Sequence, residues 1–578
     1  FHALDVEQIG HVYEGLLDHT AKRALKLVLG MVGREGDEPE VDLETLEVKV
    51  ADGRDKFIAY LKDQTGKTER ALGTLLDQAT DAEKLRRLRV VCGDDHDLFE
   101  RVKPFANLIR EDSFGNVQVY PEGALYATVG SDRRSTGTHY TPRTLTEEVV
   151  KYALEPLVYV GPAEGLPEEE WTLKDAKAIV DLKVCDMAMG SGAFLVAACR
   201  FLSIKLVEAW AVAEEKAARR LGFSAEGHFF THRIEDDHHA KTPGTYVTTP
   251  YGDIAVADPS QELIPNDAEE RLALARRIVA DRCLYGVDRN AMAVEMAKLS
   301  LWLTTLRKDR PFTFLDHALR HGDSLLGVTE RQLEMFSMDT SGQSEALLLP
   351  WVPEYVGKVR ILRHQIARIP SHDPEAIRRK QRLFDQVREL ERPLKFAADA
   401  LVACELSEGN ARDKAARRAV IQSTLTEVPA GERLRSTYKE LTGRPTFHWR
   451  LEFPDVFSDI ERGQTGFDTV VGNPPFVGGK RVQSALGHDY RKFISDHVGG
   501  AIRGESIDLC AYFIAQATGL VRTGGTAGLL TTNSVTEGDT RTVALERTVA
   551  MSWHLHRAVK SVKWPGSASL EISKIWMT

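Results

Sequence analysis

No stretch of the 578-residue chain reaches the ~18 uninterrupted apolar residues of a membrane span, and no apolar signal-like run follows its first residues. Secretion and membrane insertion are therefore not expected, and a cytoplasmic setting is. Cysteine is scarce: Cys92, Cys185, Cys199, Cys283, Cys404 and Cys510 are scattered without a CxxC pair. That argues against a zinc ribbon or a disulfide framework and fits a reducing compartment. An excess of positive charge is also missing, since 75 Lys and Arg face 85 Asp and Glu for a net charge of -10. A uniformly basic nucleic-acid wrapper is thereby excluded, although a large acidic protein can still carry a local basic cleft. No repeat of fixed period occurs. What remains, 43% hydrophobic and 28% charged residues, is the composition of a globular protein with three or four folding units at roughly 150 residues each. Opening on Phe1 and closing on Thr578, the sequence is expected to be a piece of a longer protein.

Residues 1–135 read as an N-terminal helical domain. Leu16, Leu17, Ala21, Ala24, Leu25 and Val28 fall at helical spacing, as do Phe57, Ile58, Leu61, Leu72, Leu75 and Leu76. After a polar break at Gly130–Gly137 the pattern changes to short apolar runs that end at Gly or Asp and lead into helices, which is the grammar of an α/β sheet. Four strands are expected, at Asp181–Asp186, Leu284–Asp288, Phe467–Gly472 and Thr526–Thr531. Between the second and third, residues 336–445 are rich in Arg, Glu, Lys and Leu and read as a helical insertion, a solvated helical pair set into the sheet domain. The sheet domain thus divides into halves at 136–335 and 446–578. The excess length between the first two strands is assigned to a charged, turn-rich insertion around 219–270.

Three motifs carry chemistry. In the first, a strand delivers Asp186 to the turn Met187-Ala188-Met189-Gly190-Ser191-Gly192, and a helix starts directly after it at Ala193-Phe194. Glycines let the backbone approach a ligand, and the helix start favours polar or anionic groups; the bland reading is a tight turn. In the second, Tyr285-Gly286-Val287-Asp288 ends an apolar strand in a carboxylate, which in doubly wound folds can accept from both hydroxyls of a ribose. The bland reading there is a helix cap. In the third, Asn473-Pro474-Pro475-Phe476 follows a buried strand. The prolines stop the strand, remove amide donors and leave a carbonyl beside the Asn acceptor, so that one planar amino group could donate to both while Phe476 stacks on its ring.

These residues resemble the N6-adenine DNA methyltransferases, in the large class whose cofactor motif precedes the catalytic one. Further segments extend the likeness. His11–Leu17 is family-like, and Thr138-His139-Tyr140-Thr141-Pro142 resembles a cofactor-covering segment. Gly322-Asp323-Ser324-Leu325-Leu326 resembles the loop whose Asp binds the cofactor adenine. Phe447–Trp449 with Phe453–Phe457, Asp508–Phe513 and Trp564–Ala568 are similar to segments of type IIG restriction-modification methylases and phage-defence methylases of the BREX or DISARM kind. Met187 and Met189 depart from the family's usual Pro and Cys.

The resemblance implies a Rossmann-like methyltransferase sheet, with 136–335 as its cofactor half and 446–578 as its catalytic half. It implies S-adenosylmethionine as cofactor, held by Thr138, His139, Tyr140, Thr141, Pro142, Asp186, Ala188, Gly190, Ser191, Gly192, Phe194, Asp288, Arg289, Asp323, Ser324, Leu325 and Asn473, and catalysis by Asn473, Pro474, Pro475 and Phe476 on a flipped adenine. DNA would be the substrate, gripped by Lys480, Arg481 and Arg503 after the catalytic loop, with other subunits of a defence complex as further partners. Two alternatives stand beside it: transfer to an RNA base or a protein glutamine amide, and a catalytically silent DNA-binding subunit. No metal is expected. His228, His232, His238 and His239 with Asp236 and Asp237 read as solvated residues of a polar insertion, and Asp37 with Glu47-Val48-Lys49 as a charged surface rather than a nuclease motif.

Overall fold

The computed structural model describes the chain except residues 1–18, 34–37, 94, 113–114, 130–140, 222–231, 234–244, 253, 257–263, 308–309, 341–347, 372, 427–443, 458–464, 501, 503, 505 and 566–570. The described residues fall into two compact units, one within Glu14–Ser135 and one within Thr136–Thr578.

In the smaller unit, helices Leu43–Ala51, Arg54–Thr65, Glu69–Asp77, Ala82–Cys92 and His96–Val102 enclose a core containing Leu46, Phe57, Leu61, Leu72 and Leu88. From His19 on, the first periodic stretch is not helical; its Leu16 and Leu17 lie outside the described residues. His19–Arg23 pairs antiparallel with Leu125–Val129, and Val28–Gly30 pairs with both Glu40–Asp42 and Val119–Tyr120. Leu25, which a helix would have buried, is exposed. Short apolar runs of this length fit either period, and here the distant strands decide. Glu47 and Lys49 lie on a helix, where Glu47 pairs with Arg101, so they form no strand-borne nuclease motif.

The larger unit is α/β. Its main sheet has seven strands among the described residues, β1 (Val184–Asp186), β2 (Leu284–Asp288), β3 (Leu319–His321), β4 (Phe467–Gly472), β5 (Val521–Thr532), β6 (Leu555–Lys563) and β7 (Glu571–Met577). They run in the order β3-β2-β1-β4-β5-β7-β6. The first five are parallel, and β7 lies antiparallel between β5 and β6. Successive side chains of a strand point to opposite faces, and the two cores show it. Val184, Leu284, Val471, Leu530 and Trp576 face one core with helices α1 (Arg143–Val158), α2 (Ala193–Leu221), α3 (Ala268–Arg282) and α4 (Ala291–Thr304). Cys185, Tyr285, Val470, Leu529 and Ile575 face the other. Burial on both faces explains why β2 is apolar up to its final Asp288 and why the one charge within β4, Asp468, is buried and paired, accepting from Lys183 N–H at 2.7 Å and Arg522 Nε at 2.7 Å.

The charged run is more than a solvated helical pair. Helices α5 (Trp351–Arg368) and α6 (Pro374–Leu406) contribute Val352, Val356, Phe384, Val387, Leu394 and Leu401 to the same core as Tyr285 and Val470, and α7 (Ala411–Thr424) follows. Several of its charges are internal and paired. Arg363 meets Asp455 and the carbonyl of His317, and Lys380 donates to both carboxylate oxygens of Asp281 at 2.6 and 2.7 Å and to Ser371 Oγ at 2.9 Å. Arg320 joins Glu391 and Glu452, each at 3.0 Å, and Lys395 reaches Glu452 at 3.0 Å. Composition alone does not separate an Arg that faces water from one that locks two elements together.

Candidate functional site

The C-terminal ends of β1 to β4 share one edge of the sheet, and the strand order reverses between β1 and β4. In open α/β sheets that edge is where a crevice forms. Strand β1 delivers Asp186 to a turn in which Gly190 and Gly192 have φ of 53° and 87°, values that side-chain-bearing residues rarely adopt. A Cβ on Gly192 would sit 3.2 Å from Ala297 Cα, so this glycine lets α2 pack closely on α4. A Cβ on Gly190 would meet nothing within 4 Å, which leaves open space in front of that backbone. Ser191 is buried, and Phe194 lies in the core under the turn. Met187 and Met189 are buried too. A Cβ at Gly286 would come within 2.3 Å of Met189 Sδ, so the strand glycine and the unusual methionine fit each other.

Two carboxylates flank this turn. Asp288 accepts from Gly190 N–H at 2.9 Å and from Asn290 N–H at 2.7 Å. It is not the cap of α4, because Asn290 takes that place by accepting from Met292 N–H. Burial raises its pKa above the ordinary carboxyl value. Asp186 is 1% exposed; Oδ1 accepts from Ala188 N–H at 3.0 Å while Oδ2 is buried with no hydrogen-bond partner. Burial, opposed by the Ala188 N–H and reinforced by the charge of Asp288, pushes its pKa up to about 8.

A third acid, Asp323, follows β3. It accepts from Leu325 N–H at 3.0 Å and from Tyr490 Oη at 3.1 Å to each oxygen, with Arg289 Nε 3.9 Å away. Burial raises its pKa. Ser324 Oγ donates to Met187 O at 2.5 Å, tying this loop to the β1 turn, while Leu325 is buried in the core. Behind the loop, Trp449 Nε1 donates to Ser324 O at 3.0 Å, and Val328 N–H donates to His448 Nδ1 at 3.1 Å. A Cβ on Gly327 would come 2.1 Å from Phe447 O, so the Phe447–Trp449 segment braces the Asp323 loop at backbone contact.

At the end of β4, a Cβ on Gly472 would fall 2.7 Å from Asp186 Oδ1, which places the Asn473 loop beside the β1 turn. Asn473 Nδ2 donates to Thr141 Oγ1 at 3.0 Å, and its Oδ1 is buried without a partner. Pro474 is buried; Phe476 is half-buried and meets Trp564 edge-on, with ring centroids 6.4 Å apart at 88°. The rear of the loop is held by Asp508. Although it precedes helix α9 (Leu509–Leu520), its side chain does not cap that helix and instead accepts from Gly479 N–H at 2.7 Å, while Leu509 N–H donates to Val477 O. Lys480 and Arg481 are exposed on helix α8 (Gly479–Leu486).

Asp186, Ala188, Gly190, Asp288, Arg289, Asp323, Ser324, Asn473 and Thr141 are therefore linked at one sheet edge through these contacts. Thr138, His139, Tyr140 and Arg503 lie outside the described residues, as do Ser567, Ala568, His228, Asp236, Asp237, His238 and His239. Tyr490, Thr141 as a partner of Asn473, and Asp508 as a loop anchor were not legible from motifs. A polar residue opening an apolar helix, such as Asp508 before Leu509–Ala517, was the available signal for the last.

Comparison with known proteins bears on this edge. Among solved structures, the Type IIL restriction-modification enzyme MmeI in complex with DNA matches at 15% identity with a TM-score of 0.32, over 77% of this chain and 37% of that one. This chain thus spans little more than a third of that protein's length. No curated protein matches it. Residues 282–560 match the Eco57I restriction-modification methylase family model, and over that span, from β2 into β6 and including Asp288, Asp323 and Asn473, the chain is similar to restriction-modification methylases.

Proposed function

We propose that the chain is a DNA methyltransferase that moves a methyl group from S-adenosylmethionine to the N6 amino group of a flipped adenine, within a bacterial restriction-modification or phage-defence system. The observation that carries the reading is Asn473 Oδ1: a buried acceptor without a partner, at the end of a core strand, in a loop whose next two residues are prolines. Buried polar atoms are normally satisfied, so an orphan here is an acceptor kept for a donor that arrives with substrate. An exocyclic amino group is such a donor.

The residues fit the cofactor. Open space before Gly190 admits a ligand to the backbone, and Asp186 Oδ2 is a second buried orphan acceptor. Both oxygens of Asp288 keep a lone pair beyond the one each already commits, which suits a diol. The cluster of three carboxyls also suits a cationic ligand, whose charge would favour their ionised forms, and S-adenosylmethionine, when bound, supplies an electrophilic methyl on a sulfonium. The chain's own work is then electrostatic and positional. Asn473 Oδ1 and the Pro474 carbonyl accept from the amino group, bring its lone pair out of conjugation and stabilise the positive charge that grows on it. Phe476 offers a stacking face for the extruded ring, offsetting a few kcal/mol of lost stacking. Lys480, Arg481 and Arg503 would meet phosphates. On this reading the chain comprises, in order, an N-terminal domain at 1–135, a cofactor half at 136–335, a helical insertion at 336–445 and a catalytic half at 446–578.

The test is chemical identity of the product. Protein, methyl-labelled S-adenosylmethionine and DNA are incubated, and the DNA is digested to nucleosides. Label in N6-methyl-2′-deoxyadenosine is expected; label only in methylated deoxycytidine, or none in DNA, refutes the assignment.

A further inference from the structure

Accepting from an amino group requires one particular end of the Asn473 side chain. Its amide carries an acceptor at Oδ1 and a donor at Nδ2, and half a turn about its last bond would exchange them. With Nδ2 turned toward substrate the loop would present hydrogens to hydrogens. Something must hold the amide one way round, and the Asn473 loop itself is poor in means to do so, since Pro474 and Pro475 have no N–H.

The fixing contact comes from far away in sequence. Thr141, 332 residues earlier and two residues before the start of α1, offers Oγ1 to Asn473 Nδ2 at 3.0 Å. Thr141 is 5% exposed. On its C-terminal side, Pro142 precedes α1 and its carbonyl accepts from Leu145 and Thr146 N–H, which ties Thr141 to the start of that helix. With Nδ2 engaged there, Oδ1 is the end left without a partner. We infer that Thr141 is a positioning residue that anchors the Asn473 side chain, its Oγ1 accepting from Nδ2 so that Oδ1 is the end left facing the nitrogen to be methylated. The inference rests on the function proposed above and assigns Thr141 a duty separate from the cofactor contact that the resemblance implied for it.

A hydroxyl that orients Asn473 should act on the rate of transfer and leave cofactor affinity alone. Removing it also strips a buried donor of its partner, so the amide turns to seek another. Both effects can be read on the full chain. The sequence has only seven asparagines, so selective ¹⁵N-asparagine labelling gives few side-chain NH₂ signals, and the pair missing from Asn473→Ala identifies Asn473. In Thr141→Val, without DNA or cofactor, one proton of that pair is expected to move upfield and exchange faster with water. Thr141→Ser should restore both.

At saturating cofactor and DNA, the single-turnover rate of Thr141→Val should fall at least tenfold and that of Thr141→Ser by less than about twofold, with S-adenosylmethionine Kd within twofold of wild type in both. If Thr141→Val melts early, Thr141→Ala carries the same comparison without the extra methyl. An unmoved Asn473 signal overturns the inference, and so does a weakened cofactor Kd with an unchanged transfer rate. A wild-type protein that methylates no base is a different result: it sinks the functional reading, and the positioning role with it.

Discussion

Asp186 sits in a site that costs the empty protein stability, and substituting it should reveal how much. Its carboxyl is 1% exposed, has one N–H donor and carries a pKa of about 8 in place of its ordinary 3.8. Below pH ~4 it is protonated in both the folded and the unfolded chain and contributes nothing to the pH dependence. As pH rises the unfolded chain ionises while the folded one keeps its proton, so folding is penalised by about 1.4 kcal/mol per pH unit. At pH 7 the penalty amounts to about 4 kcal/mol, and it levels off above pH 8. Asp186→Asn removes the titration while its Oδ1 can still accept from Ala188 N–H. The variant, free of cofactor, should melt close to wild type at pH 4 and progressively above it between pH 5 and pH 8. Thermal melts of both proteins across that range measure the gap. A gap that stays flat with pH, or one that favours wild type at pH 8, would mean that Asp186 is solvated or paired in a way that contradicts the buried orphan.

Three more outcomes follow from particular contacts. Asp288→Ala removes the acceptor of Gly190 and Asn290 N–H and should weaken S-adenosylmethionine binding by about 1.5–3 kcal/mol, read by calorimetric titration of a variant shown to be folded; unchanged affinity would exclude Asp288 from the cofactor site. Lys380→Met leaves Asp281 buried with Ser371 alone and should destabilise the larger unit by about 3–5 kcal/mol in urea, whereas Lys380→Met with Asp281→Leu should recover much of the loss. Without that pattern, α6 is not part of the core. Gly192→Ala puts a side chain at φ 87° and 3.2 Å from Ala297 Cα, and should lower the melting temperature measurably while Gly190→Ala, facing open space, should affect cofactor affinity more than packing.

How much of this could be read in advance depended on whether a feature is local. Leu284–Asp288 and Phe467–Gly472 form strands over the residues expected, because strands buried on both faces are dominated by apolar and β-branched residues and each of these ends at a residue that breaks the run. Strand β3, three residues ending in Arg320-His321, and β6, an edge strand with Arg557, Lys560 and Lys563 exposed, carry no such pattern. Asp186, Asp288 and Asn473 stood out because a polar residue ending an apolar strand is a local event. The bonds that make them a site join residues 98 apart for Gly190 and Asp288, 167 for Tyr490 and Asp323, and 332 for Asn473 and Thr141. Such pairings are decided by the order of strands in the sheet, which periodicity does not encode. The helical insertion shows the converse, since its charges were legible but their burial was not.

The central claim is that cofactor binding and methyl transfer are carried by different loops of one sheet edge, and that the Asn473 side chain, although the resemblance also sets it among the cofactor contacts, is required only for the second. It is tested most directly by loading wild type and Asn473→Ala with methyl-labelled S-adenosylmethionine, mixing each with excess DNA and following a single turnover. The account predicts that both proteins retain the label before mixing and that the variant passes it to DNA at least about a hundredfold more slowly, the usual consequence of removing one preorganised group. Equal single-turnover rates would contradict it.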